Sequence, residues 1–279
     1  MIRSRLKAAV VVVAAFFFVQ CRTEKPGKPD ADVILAEACR YLWEQQGKDG
    51  GWHSEIHGLF KTGQALTPFI LFTLMEVPES AYSRSEEKTQ RGLGFLRKHV
   101  NENGVIGLAD PDVIEYPIYS TAYALRVLVR YGTEQDSLLI VRMRKYLIRE
   151  QFTEPRGINP GHPAYGSWGF GETNLAKGTV GHVDLSHTRR ALEALRESGY
   201  HEAAMIKKAT RFLRLLQKHP SHPSSPRNAY DGGFYFSPVV LDQNKAGRKD
   251  DVFRSYATPT CGGLLALLAA GHGLDDEPV

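Results

Sequence analysis

The stretch "HVDLSHTRRALEAL" (residues 182–195) contains the pattern that decides the fold, a threonine followed by leucines four and seven residues later. The same spacing occurs three more times along the chain. The four copies are Thr67/Leu71/Leu74, Thr121/Leu125/Leu128, Thr188/Leu192/Leu195 and Thr260/Leu264/Leu267. These positions lie on one face of an α-helix, because a helix completes a turn in about 3.6 residues. Each stretch therefore predicts a helix with one apolar face.

An aromatic–leucine pair and a glycine-rich loop precede each of these helices. The pairs and loops are Tyr41-Leu42 with "DGGW" (49–52), Phe95-Leu96 with "NGVIG" (103–107), Tyr146-Leu147 with "GSWGFG" (166–171) and Phe212-Leu213 with "DGGF" (231–234). This order of helix, loop and helix predicts four helical hairpins. A single hairpin cannot bury its own apolar face, so the hairpins must pack side by side. We predict an all-α fold, an α/α toroid-like array of about four hairpins. The array forms an open ring, closes with few members, or is completed by a partner.

The N-terminal segment has the pattern of a bacterial lipoprotein signal. Basic residues occupy positions 3, 5 and 7, an apolar run fills residues 8–19, and Cys21 follows. The run is too short to span a bilayer comfortably. We predict a signal peptide over 1–21 with lipidation at Cys21, a tether over 22–31 and a repeat domain over 32–279. Gln20 stands where a small residue normally precedes the lipidated cysteine, so cleavage nearby and retention as a signal anchor are the alternatives. We expect an exported, membrane-anchored protein of the bacterial cell envelope, facing the periplasm or the surface.

The charge and the cysteines narrow the range of partners. The predicted leader carries three of the 35 basic and none of the 31 acidic residues, which leaves a net charge of about +1 on the rest of the chain. Without a dominant basic surface, nucleic acid is not expected as a partner. Cys39 and Cys261 lie in apolar, helix-like contexts, so we expect both thiols to be buried and inert.

The loops "GGW", "GSWGF" and "DGGFYF", each followed by a helix of the form T-x-x-A/G-L-x-x-L, resemble the prenyltransferase and squalene-cyclase repeat families over residues 32–275. The resemblance implies a toroid with an inner and an outer ring of helices. It also implies an apolar central cavity lined by aromatic side chains, in which the catalytic members bind isoprenoid chains. We therefore expect an apolar or isoprenoid-like small molecule as the ligand.

The diagnostic residues of both known chemistries are missing at residues 184–188. Squalene-type cyclases carry a D-x-D-D-T motif, and placing its threonine on Thr188 puts the three acidic positions on Asp184, Ser186 and His187. Protein prenyltransferases bind zinc through an Asp, a Cys two residues later and a distant His. Asp184 matches the first ligand, but Ser186 replaces the Cys and the His position falls near Ala257. One zinc ligand of three cannot hold the metal. We predict neither chemistry, and no metal or cofactor.

Asp184 and His187 are nevertheless the candidate catalytic residues. Asp184 directly precedes the helix that carries Thr188, where an aspartate accepts free backbone N–H groups as a cap. Capping and a cavity role are compatible, because helix N-termini in a toroid face the mouth of the cavity. His182, Asp184 and His187, together with His53 or His57, could instead bind a metal, but H-x-D-x-x-H is not a specific signature.

Aromatic and histidine side chains of the loops are the candidate ligand-binding groups. They are Trp52, His53, Trp168, Phe170, His182, Phe234 and Tyr256. Alternatively, the loop aromatics hold adjacent hairpins together, since each ring buries a large apolar area.

Three functions follow from these residues. The first is a membrane-tethered binding or interaction module with an aromatic-lined cavity, which we favour. The second is an enzyme that acts on an isoprenoid or related apolar substrate through Asp184 and His187. The third is a polysaccharide-active toroid, which needs two carboxylates in one groove; Glu172 and Asp184 are the best candidates.

Overall fold

The computed structural model describes residues 30–110, 112–220 and 230–276, and this part of the chain is mostly helical. Its eight helices are α1 (Ala31–Glu44), α2 (Leu66–Met75), α3 (Glu86–His99), α4 (Pro117–Tyr131), α5 (Ser137–Arg149), α6 (Leu185–Glu197), α7 (Ala203–Leu216) and α8 (Ala257–Ala269). The predicted all-α class is therefore confirmed. Of these helices, none is long and apolar enough to cross a membrane. The predicted signal peptide, Cys21 and the tether up to residue 29 lie outside the described residues.

The helices form the four predicted hairpins. The aromatic–leucine pairs lie in α1, α3, α5 and α7, and the Thr/Leu/Leu patterns lie in α2, α4, α6 and α8. These second helices of the hairpins pack side by side in chain order. From α3 onward, each first helix packs against the second helix of the preceding hairpin. The chain is thus a helical repeat in which every hairpin covers its neighbour.

The repeat threonine ties each glycine loop to the second helix of its own hairpin. Its Oγ1 accepts a hydrogen bond from a backbone N–H of the loop in all four repeats. The pairs are Trp52–Thr67 (2.9 Å), Ile106–Thr121 (3.2 Å), Trp168–Thr188 (3.1 Å) and Phe234–Thr260 (3.1 Å). The first three threonines are fully buried, so water cannot replace these bonds. The threonine is therefore a structural residue of the repeat.

A glycine in the first three loops lies directly on the first helix of the next hairpin. A Cβ added at Gly50, Gly104 or Gly166 would lie 1.9–2.3 Å from the backbone of α3, α5 or α7. All three also have positive φ angles, between 79° and 90°. Because L side chains rarely adopt this conformation, glycine is required at these contacts for two independent reasons.

The ends of the row differ from its middle. Tyr41 of α1 is 61% exposed, whereas the equivalent Phe95, Tyr146 and Phe212 are buried. Among the described residues no hairpin precedes α1, so Tyr41 has no preceding hairpin there to cover it. At the other end Cys261 of α8 is exposed and shares a helix face with Leu265, which is 42% exposed. The expectation of a buried thiol is confirmed for Cys39 and wrong for Cys261.

The long loop of the fourth hairpin folds against the start of α6. The backbone N–H of Leu185 donates to the carbonyl of Phe236 (3.0 Å), and the Ser237 hydroxyl donates to the carbonyl of Val183 (2.5 Å). Further along, Arg248–Lys249 (β1) pairs antiparallel with Val252–Phe253 (β2). This docking brings the fourth repeat next to the N-terminal end of α6.

Candidate functional site

An open pocket of about 620 Å³ lies at the N-terminal ends of α2, α4 and α6. All four repeats contribute to its wall, and a volume of this size is typical of small-molecule sites. The lining residues are Phe60, Ala65, Leu66, Phe69, Tyr116, Tyr119, Ser120, Tyr123, Phe170, His182, Asp184, Ser186, His187, Phe236 and Gln243. Seven of these side chains are Phe or Tyr, so the wall is dominated by aromatic rings.

The rings contact one another around Tyr116. Tyr116 stacks on Phe60 with ring centroids 5.8 Å apart, and its ring lies 4.6 Å from that of Phe170. The Tyr123 ring continues the wall towards Phe69, at 5.2 Å in a T-shaped arrangement. Offset-stacked and edge-to-face arrangements at these distances are the ones that aromatic pairs prefer. The wall is therefore a contiguous aromatic surface built from three repeats.

The backbone at the start of α4 is arranged to present Tyr116 to the pocket. Tyr116 has φ 47° and ψ 57°, a left-handed conformation that is uncommon for a bulky residue. Pro117 follows at the first helical position, where it disfavours a helical conformation for the residue before it. A strained conformation of this kind persists only where the surroundings enforce it. Here those surroundings are the hydrogen bonds of Ser120, from its N–H to the carbonyl of Tyr116 (2.8 Å) and from its hydroxyl to the carbonyl of Glu115 (2.7 Å).

A buried carboxylate, Glu115, joins the first and second repeats beneath this wall. Its side chain is almost fully buried and accepts hydrogen bonds from the backbone N–H groups of Thr62 (2.5 Å) and Ala65 (3.2 Å). Both donors lie just before α2, so the carboxylate fixes the backbone that carries Ala65 into the pocket wall. No pattern in the sequence indicated a role for Glu115.

The third repeat adds a cluster of polar side chains to the wall. Asp184 caps α6 as predicted, since its Oδ1 accepts a hydrogen bond from the backbone N–H of His187 (2.9 Å). Its Oδ2 contacts two imidazoles, at 2.8 Å from Nδ1 of His187 and 2.9 Å from Nε2 of His182. Asp184 and His187 are buried, whereas a third of the His182 side chain is exposed.

These contacts set the charge of the cluster. Burial alone would raise the pKa of the Asp184 carboxyl. The electrostatic interaction with His187 and the hydrogen bonds from both histidines outweigh burial and hold the pKa well below its ordinary value. The hydrogen bond to Asp184 raises the pKa of His182, although burial opposes the effect. Asp184 is therefore an anion at neutral pH, held by imidazoles on two sides.

The His187 imidazole lies among aromatic rings. It meets the Tyr119 ring at 87° with centroids 4.6 Å apart, lies 5.9 Å from the ring of Phe170 and is parallel to Tyr116 at 6.4 Å. Its Nδ1 faces Asp184, but its Nε2 is buried without a hydrogen-bond partner among the described residues. Such an unpaired nitrogen is unusual in a protein interior.

Two hydroxyl groups lie beside this imidazole. The Tyr119 hydroxyl and Ser186 Oγ form a short hydrogen bond across the α4–α6 interface. Burial raises the pKa of the Tyr119 phenol, so it stays protonated at neutral pH. Ser186, which stands in place of the cyclase acid, thus belongs to a neutral pair of hydroxyl groups.

Charged side chains border the aromatic pocket wall beyond Tyr123. The guanidinium group of Arg190 lies 5.1 Å from the centre of the Tyr123 ring and pairs with Glu193 (2.8 Å). Arg126 joins the network through Glu193 (2.9 Å) and Glu197 (2.6 Å). The faces of α4 and α6 therefore change from aromatic at their N-terminal ends to ionic further along.

Four of the predicted site residues lie in the pocket wall, namely Asp184, His187, Phe170 and His182. Trp52, Trp168 and Phe234 are buried in the core and do not line this pocket. The indole N–H groups of the two tryptophans donate to carbonyls of the first helix in their own hairpins, at 2.6 and 2.7 Å. These bonds hold each ring within its own hairpin, whereas the alternative offered by the sequence was that the rings hold adjacent hairpins together.

The remaining predicted residues lie away from the cluster. His53 pairs with Asp49 at 3.0 Å in the first loop, and Tyr256 precedes α8, with its hydroxyl 3.4 Å from the carbonyl of Gln243. Glu172 accepts a hydrogen bond from the backbone N–H of His182 (2.7 Å) but lines a different pocket, of about 430 Å³. The two carboxylates proposed for a polysaccharide enzyme, Glu172 and Asp184, therefore do not line the same pocket.

Among the described residues, one group of side chains has the composition and spacing to hold a metal ion. It consists of His182, Asp184 and His187, whose ligand atoms all lie within 4.8 Å of one another. No protein-family model matches the chain, and no curated protein sequence matches it. The interpretation of the site therefore depends on its own chemistry.

Proposed function

We propose that this protein binds an apolar small molecule in the pocket at the N-terminal ends of α2, α4 and α6. The observation that carries the proposal is the convergence of aromatic rings from all four repeats on one open pocket of about 620 Å³. Transfer of apolar surface from water onto such a wall is favourable, at about 25 cal/mol per Å². The few polar groups, on His182, Asp184, Ser186 and His187, lie together on one side and would orient the ligand.

We further propose that the hairpin row belongs to an α/α toroid of the kind found in the prenyltransferase and squalene-cyclase repeat families, with this pocket as its central cavity. The side-by-side packing of the second helices in chain order supports this architecture. The lipoprotein-like pattern around Cys21 supports an exported protein that is tethered to a membrane by lipid.

The binding proposal is tested by filling the pocket from two directions. Ala65→Trp and Gln243→Trp place an indole in the wall from the first and fourth repeats. Ala203→Trp, on an exposed site of α7, is the control. Each protein is titrated with the neutral apolar probe N-phenyl-1-naphthylamine, and its fluorescence is recorded. Wild type and Ala203→Trp are expected to saturate at one site, and both pocket variants to bind at least about tenfold more weakly. Equal binding by folded Ala65→Trp and Gln243→Trp would refute the proposal.

An enzyme acting on the bound molecule is the second candidate, and the buried Asp184–His187 pair favours it. A carboxylate on Nδ1 holds an imidazole in the orientation used for proton transfer. The two candidates differ in the fate of the ligand. Conversion of a co-purified molecule by wild type but not by folded Asp184→Asn, followed by mass spectrometry, would favour the enzyme. We expect an unchanged ligand with both proteins, and weaker binding or lower stability in the variant.

A further inference from the structure

The cluster at the start of α6 places three metal-ligating groups around one point. Oδ2 of Asp184 lies 2.8 Å from Nδ1 of His187 and 2.9 Å from Nε2 of His182. We propose that these side chains bind a divalent first-row transition-metal ion in the wall of the pocket. The sequence alone did not favour a metal here, because the H-x-D-x-x-H spacing is unspecific; the proposal rests on the geometry.

The donor set and its spacing fit such an ion. Two imidazoles and one carboxylate are the ligands of facial metal sites that keep further positions open. Metal–ligand bonds of about 2.0–2.1 Å at right angles place neighbouring ligand atoms about 2.9 Å apart. The two separations measured from Asp184 Oδ2 are close to this value. All three ligand atoms lie within 4.8 Å of one another, so an ion would require the two imidazole nitrogens to lie as close to each other as each lies to Asp184.

The protons of His187 provide an independent argument. If a neutral His187 donates its Nδ1 proton to Asp184, Nε2 becomes a bare lone pair, buried among aromatic rings without a partner. The faces of these rings carry negative charge density, so they do not satisfy a lone pair. If Nδ1 instead gives its lone pair to a metal, Nε2 carries the proton, and an N–H group can contact an aromatic face. A fully protonated His187 paired with Asp184 is the metal-free alternative.

The surroundings allow an ion to enter and to contact a ligand. His182 keeps about a third of its side chain exposed, which gives an ion access from solvent. All three residues line the pocket, so the open coordination positions would face a molecule bound there.

The proposal is tested with the metal alone, without any organic ligand. Apo protein prepared with a chelator is titrated with Co²⁺, whose visible absorption reports coordination by nitrogen and oxygen, and bound Co²⁺ is then displaced with Zn²⁺. Wild type is expected to bind one equivalent, and His182→Ala to bind at least about tenfold more weakly. Because His182 is partly exposed, this variant is expected to keep the wild-type fold, as circular dichroism would verify. Asp184→Asn, which keeps a capping side chain, is expected to lose binding as well.

His53→Ala is the matched control. His53 also contacts a carboxylate, that of Asp49 at 3.0 Å, but among the described residues it is not part of a group of three. Wild-type affinity is expected for this variant. Failure of wild type to bind Co²⁺ or Zn²⁺ would overturn the proposal, and so would equal binding by folded His182→Ala. Neither result would affect the apolar-pocket proposal.

Discussion

Replacing Thr188 by valine isolates the hydrogen bond that defines the repeat. The side chain is fully buried, accepts from the backbone N–H of Trp168 at 3.1 Å and donates to the carbonyl of Asp184 at 2.9 Å. Valine has nearly the same shape, so no cavity forms and the packing against neighbouring residues is kept. What is lost is the acceptor, which leaves the Trp168 N–H buried and unpaired.

The expected cost is about 1–3 kcal/mol, the penalty for a buried polar group without a partner. The carbonyl of Asp184 adds little to this cost, because it still accepts the helical hydrogen bond from the N–H of residue 188, at 3.3 Å. In a domain of this size, 1 kcal/mol shifts the melting temperature by about 2–4 °C. We therefore expect Thr188→Val to melt roughly 2–12 °C below wild type.

Thermal unfolding followed by circular dichroism measures this shift, with Thr73→Val as the control. Thr73 lies on the exposed side of α2, and its hydroxyl bonds only within its own helix, to the carbonyl of Phe69 at 2.9 Å. Its replacement is expected to change stability by less than about 0.5 kcal/mol. If the two valine variants melt at the same temperature, the repeat threonine does not have the structural role assigned to it.

Three further predictions concern buried charges. For Asp184→Asn, the loss of stability relative to wild type should be largest between about pH 4 and 6.5. Because the pKa of Asp184 is lowered, the stability that its carboxylate contributes is lost as the pH falls below 3.8. Because the pKa of His182 is raised, the stability contributed by its ion pair with Asp184 weakens as the pH rises above 6.5. Melting curves from pH 3 to 9 test this window. Arg126→Met should cost about 1–3 kcal/mol in urea unfolding, because Glu193 and Glu197 lose one hydrogen-bonded partner but keep Arg190 and Arg130, and a cost below about 0.5 kcal/mol would contradict a structural role for the network. Glu115→Gln should cost about 1–3 kcal/mol, because an amide offers one acceptor oxygen to two backbone donors; an unchanged midpoint of urea unfolding would show that the carboxylate is dispensable.

The sequence predicted the hairpins well, because the repeated residues have the same physical role in each copy. Thr188 and its three equivalents each bond a loop N–H, and the leucines that follow lie on the face packed against the neighbouring hairpins. A constraint repeated four times is visible in one sequence. Tyr41 and Cys261 lie in the first and last of the described hairpins, and a repeat pattern alone does not indicate that their side chains are more exposed than those of the equivalent residues.

The site was predicted less completely, because apolar periodicity does not separate a core ring from a cavity ring. The sequence predicts that Trp52 and Trp168 contact the ligand. In the structure their backbone N–H groups donate to the repeat threonines, and their side chains are buried in the core. The stretch "YPIYSTAY" (116–123) did carry a usable signal. Its tyrosines are spaced by three and four residues, the first directly before a helix-starting proline and the other two on one face of the helix. Contacts between distant residues, such as Glu115 with Ala65, follow only from the packing of different repeats.

The most direct test of the central claim, that the pocket holds an apolar molecule, is the intact mass of the protein as it is purified. Native mass spectrometry of wild type is expected to show a fixed mass increment, which denaturing extraction releases as an apolar small molecule. Ala65→Trp, folded but with an indole placed in the pocket wall, should carry this increment at clearly lower occupancy, and Ala203→Trp should retain it. The same bound species at full occupancy in Ala65→Trp would contradict the account, because the ligand would then lie outside the pocket.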